Sequence, residues 1–385
     1  MKTLCVVTST RADYGLLKPV IRRIIDDAEL NLDIVVTGMH LCPEFGLTYK
    51  EIENDEIPIS EKIDITLSSD TALGMTKTMG LATLAFAEYF ERKRPDILVM
   101  DSDRYEMLAC ATAAAMAQIP IAHLSGGDTT EGAIDEFCRH CITKMSYLHF
   151  TNTDVYRRRV IQLGEDPERV FNTGSLGVEN ILSIEYLSRE ELEKVVGFKL
   201  DTKYALVTFH PVTMEANEAE VQFGQLLSSI DHFTDMKFIF TKANSDEKGR
   251  AINRMIDKYV SEHDNCIAFA SLGLQRYLSA MKYAVMVIGN SSSGIYEAPS
   301  FKIPTINIGT RQKGRVQADS VINCDPVEKE IIEAINIGLK KDCCDVMNPY
   351  QGNNPSLFIV EKIKEFLFEN KIDLKKKFWD IDVKC

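Results

Sequence analysis

A chain of 385 residues exceeds what one hydrophobic core comfortably serves, so two domains of roughly 150–200 residues are expected. Its composition, 45% hydrophobic and 26% charged, is that of a globular protein with no low-complexity tract, and its formal net charge of −13 argues against nucleic acid as a partner. The same charge means that an anionic ligand must be held by local donors, which screening over about 8 Å makes workable.

The first apolar run, residues 4–8, is too short for an export signal and reads as a strand. No run approaches the roughly 18 apolar residues of a membrane span, so no membrane partner is expected, and ten cysteines without an export signal read as reduced thiols of a cytoplasmic protein. Further strands are predicted at 32–37, 97–100, 119–124, 148–151 and 170–173, then at 204–209, 237–241, 266–269, 284–288 and 304–308. Between them lie amphipathic helices, among them 15–27, 105–117, 134–147, 154–163 and 355–370. Continuous apolar strands alternating with helices predict an α/β protein whose parallel sheets are covered on both faces. The polar stretch 183–201 is the expected boundary, giving Rossmann-like domains at 1–182 and 183–355, with 356–385 packing back on the first. Cys138 and Cys141 flank His140 at metal-ligand spacing, but a structural zinc site needs four ligands and no second pair accompanies them; buried helix thiols are expected.

In open α/β sheets ligands sit beyond the carboxyl ends of the strands, so the residues that follow each strand matter most. After the first come Thr10, Arg11 and Asp13; after 97–100 come Asp101, Asp103 and Arg104; after 119–124 come Ser125, Gly126, Gly127 and Asp128. In the second half His210 follows 204–209, and Gly309, Thr310, Arg311 and Gln312 follow 304–308. The most telling stretch is 285–299, where an apolar strand breaks into Gly289, Asn290, Ser291, Ser292 and Ser293 and then reaches Glu297. Small residues let a backbone approach a ligand, and the first amides of a helix face an anion. Glu297, about one turn on, suits a sugar diol. With no G-x-G-x-x-G in the chain, this reads as a nucleotide-sugar diphosphate site, although Ser and Asn also cap ordinary strand-to-helix turns.

Seven segments in order resemble the UDP-N-acetylglucosamine 2-epimerase family, its hydrolysing branch in particular. They are Thr10 to Tyr14, Asp103 to Glu106, His123 with Gly126 and Gly127, Ile134 to Glu136 with Arg139 and His140, Phe209 to Thr213, Gly289 to Ser292 with Glu297, Ala298 and Pro299, and Gly309 to Gln312. The resemblance implies a glycosyltransferase-B-like architecture with UDP in the cleft between two Rossmann-like domains, and a reaction completed by water. Three departures stand out. Ser102 precedes Asp103 where the family commonly has Gly, Ser125 stands where many members have Glu, and 126–135 is one residue longer than in members with that Glu. Either Glu131 or Asp128 is a candidate for the missing carboxylate.

The reaction the resemblance implies has two steps. Loss of the C2 proton and of UDP gives a glycal-like intermediate; water then adds at C1 and a proton returns to the opposite face of C2. Acid–base help alone, about 10²–10⁴-fold, falls short, so stabilisation of the leaving diphosphate must carry much of the barrier. On this logic Arg11, Ser291, Ser292 and the amides of residues 292–294 hold the diphosphate, and Arg311 is a second cation for phosphate or sugar. Glu297 takes the ribose hydroxyls, and His210 is a phosphate donor or leaving-group acid. Asp103 and Asp135, with Glu131 as a third, move the protons. Arg104 is a candidate substrate contact or else only the charge partner of Asp103, and Arg139 is a candidate salt bridge that orients Asp135. Asn244 and Ser271 are weaker nucleotide contacts. No metal or other cofactor is expected, because the arginines can neutralise the diphosphate. The expected partner is a UDP-sugar, and the expected assembly a homodimer or homotetramer. UDP-N-acetylglucosamine is the favoured substrate, ahead of its 2,4-diacetamido-2,4,6-trideoxy analogue; a glycosyltransferase and a non-catalytic UDP-sugar sensor are the readings from other classes.

Overall fold

The computed structural model describes residues 1–65, 67, 71–131, 134–211, 218–243 and 247–381. Two compact units make up the chain. The first comprises Met1–Asp128, Ile134–Asn180 and Tyr350–Cys385, and the second Thr129–Ala133 and Ile181–Pro349.

The first unit holds strands β1 (Lys2–Thr8), β2 (Leu30–Thr37), β3 (Glu61–Ile63), β4 (Ile97–Met100), β5 (Ile121–Leu124), β6 (Leu148–Thr151) and β7 (Val170–Asn172). The second holds β8 (Tyr204–Thr208), β9 (Lys237–Thr241), β10 (Cys266–Phe269), β11 (Met286–Gly289), β12 (Thr305–Ile308) and β13 (Val321–Cys324). Helices α1 (Arg11–Ile25), α2 (Tyr49–Asn54), α3 (Ala72–Lys93), α4 (Tyr105–Met116), α5 (Asp135–Met145), α6 (Asp154–Gln162) and α7 (Leu176–Ser183) belong to the first half of the chain. They are followed by α8 (Arg189–Val196), α9 (Ala219–Ile230), α10 (Glu247–Glu262), α11 (Gly273–Tyr283), α12 (Ser293–Tyr296), α13 (Glu328–Gly338) and α14 (Pro355–Phe368). The sheet orders are β3-β2-β1-β4-β5-β6-β7 and β10-β9-β8-β11-β12-β13, with every pair parallel.

Alternation along each central strand explains why both faces are covered. Leu4 and Val6 pack with Leu17 and Ile21 of α1 and Ile359 and Ile363 of α14. Their neighbours Cys5 and Val7 point the other way, into Phe86 and Phe90 of α3 and Cys110 of α4. The second sheet repeats the pattern, with Ala205 and Val207 against Phe223 of α9 and Ile335 of α13, and Tyr204 and Leu206 against Leu192 of α8 and Met281 of α11. The expected strands all appear, with ends shifted by one or two residues. The two strands that the sequence hides are edge strands: Glu61–Ile63 has one buried residue and Val321–Cys324 none, so neither shows an apolar run. Among the described residues no helix is long and apolar enough to cross a membrane.

Helix α14 and the residues after it tie onto the first unit. Arg23 Nε donates to Ser356 Oγ at 3.1 Å, and Lys364 Nζ lies 2.6 Å from Asp27 Oδ2. Further on, Lys376 Nζ reaches the fully buried Glu165 at 2.7 Å, joining Lys144 at 2.7 Å and His149 at 3.0 Å. Burial pushes the Glu165 carboxyl up, but the bonds from His149, Lys144 and Lys376 prevail and hold it at about 2. Glu165→Gln, which leaves two lysines on a neutral amide, is expected to cost about 3 kcal/mol at pH 7, read from thermal melting. Because the folded carboxyl titrates below its ordinary 4.5, this gap should be full above pH 4.5 and shrink as pH falls towards about 2. A gap independent of pH would assign the effect to packing.

Candidate active site

Strand order reverses between β1 and β4 in the first sheet and between β8 and β11 in the second. At such a point the two neighbouring connections leave in opposite directions and open a crevice at the carboxyl ends of the strands. The described polar residues after β1 and β4, and after β8 and β11, therefore stand at the point in each sheet where such a crevice opens.

In the first sheet the turn after β1 is built around Asp13. Its carboxylate accepts from Thr8 Oγ1 at 2.9 Å, the Ser9 amide at 2.9 Å and the Thr10 amide at 2.7 Å, while Thr10 Oγ1 accepts the Asp13 amide at 3.3 Å. This reciprocal cap starts α1 at Arg11, four residues before the predicted helix, and presents Arg11 exposed in the first turn. His40, fully buried, bridges Thr8 Oγ1 at 3.0 Å and Thr48 Oγ1 at 2.8 Å, and burial lowers its pKa, which favours the neutral ring.

After β4 comes a group of carboxylates. Asp101 is pushed up to about 7 by burial; Asp13, Asp103 and Asp128 add to the rise, and a bond from Ser125 opposes it. Ser125 holds a left-handed backbone with φ of 60°. Asp103 is half-buried and takes Arg139 Nε at 3.1 Å and Arg139 Nη2 on the same oxygen. Arg139, only 2% exposed, also donates from Nη1 to the Asp128 carbonyl at 3.0 Å and to Glu136 Oε2 at 2.8 Å. These pairings correct one expectation. Arg104 pairs with Glu106, at 2.5 Å, and Arg139 is the residue that holds Asp103. Arg104 and Glu106 stand two positions apart across the start of α4, so the near carboxylate captures it. Asp135 opens α5, half-buried, where the helix end favours its negative charge, and Arg104 senses that charge.

In the second sheet Asn290 organises the crevice. Its side chain clamps the His210 backbone, accepting from the amide at 2.7 Å and donating to the carbonyl at 2.8 Å. The Asn290 carbonyl in turn accepts Arg311 Nη1 at 3.0 Å and Gln312 Nε2 at 2.7 Å. Gly289 permits this: its φ is +127° and a Cβ there would lie 1.9 Å from the Thr208 carbonyl oxygen. Burial, reinforced by Arg311, drives His210 down to about 3, so its imidazole is neutral near pH 7. A neutral ring keeps one N–H donor.

The segment after β11 departs from the expected helix. Only one turn, α12, forms before Pro299 enforces a 3₁₀ segment, Ala298–Phe301, and Glu297 is the C-cap of that turn. Of the amides expected to face phosphate, that of Ser293 is spent on Ser291 Oγ at 3.3 Å and that of Gly294 on the Ser291 carbonyl at 3.2 Å. So short a helix closes its first turn on itself. Glu297 is pushed up to about 7 by burial, against the effect of Ser293, and its Oε2 is cut off from solvent without a hydrogen-bond partner among the described residues.

The remaining candidates are dispersed. Ser271 follows the edge strand β10, two strands from β8, and its hydroxyl accepts the Gly273 amide at 3.1 Å within a turn. Asn244, with Val212 and Thr213 of the motif after β8, lies outside the described residues. Glu131 is exposed, 3.9 Å from Lys313 Nζ, in a segment that groups with the second unit, whereas Asp128 is buried in the first. Cys138 is buried and Cys141 exposed, both as free thiols; among the described residues no group of three or more His, Cys, Asp and Glu is arranged to hold a metal ion. Asp13, Asp101, Asn290 and Gln312 stand in segments that the sequence singles out but carry no role there, and Tyr277 stands in none of them. The pattern Thr10-x-x-Asp13 was a capping signal open to reading; nothing in the chain marks Tyr277.

Two doubly wound parallel sheets, one ending in carboxylates and the other in hydroxyls and cations, define a two-domain α/β protein of the glycosyltransferase-B-like class. A UDP-N-acetylglucosamine 2-epimerase structure from Methanocaldococcus jannaschii, in complex with UDP-GlcNAc and UDP, has a similar fold, with a TM-score of 0.77 at 18% identity over 94% of this chain and 99% of that one. The GDP/UDP-N,N'-diacetylbacillosamine 2-epimerase (hydrolyzing) of Campylobacter jejuni is 45% identical over 325 residues, 84% of each chain. The polysialic acid biosynthesis protein P7 of Escherichia coli is 40% identical over 99% of this chain and 98% of its own. Residues 22–364 match the family described as UDP-N-acetylglucosamine 2-epimerase, and the chain belongs to that family.

Proposed function

We propose that the protein is a hydrolysing 2-epimerase acting on UDP-N-acetylglucosamine, which it converts to N-acetylmannosamine and UDP in the cytoplasm for sialic-acid-type sugar synthesis. The observation that carries this reading is Asp103, a half-buried carboxylate fixed by the buried Arg139 where the first sheet's strand order reverses. Such a carboxylate is oriented, anionic and able to take a proton from carbon.

Asp103 and Asp135 remove the C2 proton and return one to the opposite face, with Glu131 or Asp128 as the third carboxylate. Arg11, Arg311, Ser291 and Ser292 stabilise the departing diphosphate, with His210 as a neutral donor to it. Glu297 receives the ribose hydroxyls. Water adds at C1 of the glycal, so the sugar leaves free. Arg104 braces Glu106 beside the carboxylates. We assign no metal to the reaction and expect a homodimer or homotetramer.

A second substrate has a specific observation behind it: the relative at 45% identity is named for N,N'-diacetylbacillosamine, the 2,4-diacetamido-2,4,6-trideoxy sugar. Offering each UDP-sugar in D₂O without an acceptor separates the readings. The expected result is UDP release, faster from UDP-N-acetylglucosamine, with one deuterium at C2 of the product. Faster release from the diacetamido sugar would install the second substrate, and no release from either would remove hydrolysis altogether.

A further inference from the structure

Helix α12 is a single turn with no side-chain cap at its N-terminus. One turn of helix has almost no stability of its own, so neighbours must hold it. From β12, Thr305 Oγ1 donates to the Gly294 carbonyl at 2.7 Å. From α11, the Tyr277 hydroxyl donates to Ser293 Oγ at 2.9 Å. Ser293 passes the connection on: its carbonyl accepts the Glu297 amide at 2.9 Å, at the point where the turn ends. Glu297 is thus tied through its backbone to one serine, and the side chain of that serine is gripped by one tyrosine. The Glu297 Oε2 atom, shielded from solvent, has acceptor capacity that no described protein group meets.

We propose that Tyr277 is a positioning residue for nucleotide binding: through Ser293 it orients the Glu297 carboxylate to receive the 2′ and 3′ hydroxyls of a ribose. The proposal rests on the reading above in which Glu297 is the ribose acceptor. A phenol that never touches the nucleotide then controls how much the sugar hydroxyls add to affinity. A carboxylate on an unbraced single turn would have to be ordered by the ligand itself, at a cost in affinity.

Binding of UDP and of 2′,3′-dideoxy-UDP to the wild type, Tyr277→Phe and Ser293→Ala, measured by titration calorimetry, tests this. The wild type should prefer UDP about tenfold or more, in line with hydroxyls donating to a charged acceptor. Tyr277→Phe should weaken UDP about five- to tenfold and change dideoxy-UDP less than about twofold, shrinking the preference. Ser293→Ala should do the same, and it carries the test alone should Tyr277→Phe fail to fold. If the wild type does not distinguish the two ligands, the ribose reading and the proposal both fall. If it does, and Tyr277→Phe or Ser293→Ala keeps the full preference or weakens both ligands equally, the proposal falls and the ribose reading stands.

Discussion

Asp103→Asn is expected to lower the rate of UDP release from UDP-N-acetylglucosamine by about 10³-fold or more while leaving UDP affinity within about twofold. The substitution keeps the size and shape of the side chain but removes the charge that Arg139 compensates and the basicity needed to take a proton from C2. Acid–base catalysis contributes about 10²–10⁴-fold, and loss of the anion also weakens the match to positive charge developing at C1. UDP affinity should survive because the proposed diphosphate and ribose contacts of the second unit, His210, Ser291, Ser292, Glu297 and Arg311, are untouched. Solvent deuterium exchange at C2 supplies an independent readout, and it should fall with UDP release. Retained turnover would take Asp103 out of the chemistry.

Arg139→Leu should do more structural damage than any surface change. Removing a guanidinium that is 2% exposed takes its charge away from Asp103 and Glu136 and its hydrogen bond away from the Asp128 carbonyl. Breaking a buried pair from one side costs about 3–5 kcal/mol, which for a unit of this size lowers the melting temperature by about 10 °C. Arg139→Lys restores the charge but not the fork that reaches two carboxylates and a carbonyl together. It should recover part of the stability and little of the turnover. A Leu variant melting within about 2 °C of the wild type would show that the pairs are not holding the carboxylates in place.

How far these features were legible from the residues follows from burial and direction. Strands covered on both faces announce themselves as apolar runs, and the edge strands Glu61–Ile63 and Val321–Cys324, half in water, do not. The seven ordered motifs were enough to recognise the family. Ionisable residues after strands stand out as residues, but their partners do not: Arg104 finds Glu106 on its own helix, and Arg139 crosses to Asp103, 36 positions away. Such choices depend on the direction in which a helix leaves a sheet. Glu297 was read as one turn into a helix, yet Pro299 cuts that helix to four residues and its amides turn on themselves. Tyr277, 16 positions before the serine it serves, carries no local mark at all.

One feature of chain order bears on how the protein is made. Ile359, Val360, Ile363, Phe366 and Leu367 of α14 complete the core that also holds Leu4, Val6 and Ile21, and Arg23 meets Ser356 across 333 positions. During synthesis the ribosome delivers these residues after nearly all of the second unit has been made. The part of the polypeptide born first must therefore stay unfinished, with one flank of its sheet uncovered, while its younger neighbour has all the residues of its own core. A nascent chain stalled before Pro355 should show that flank to chaperones and proteases.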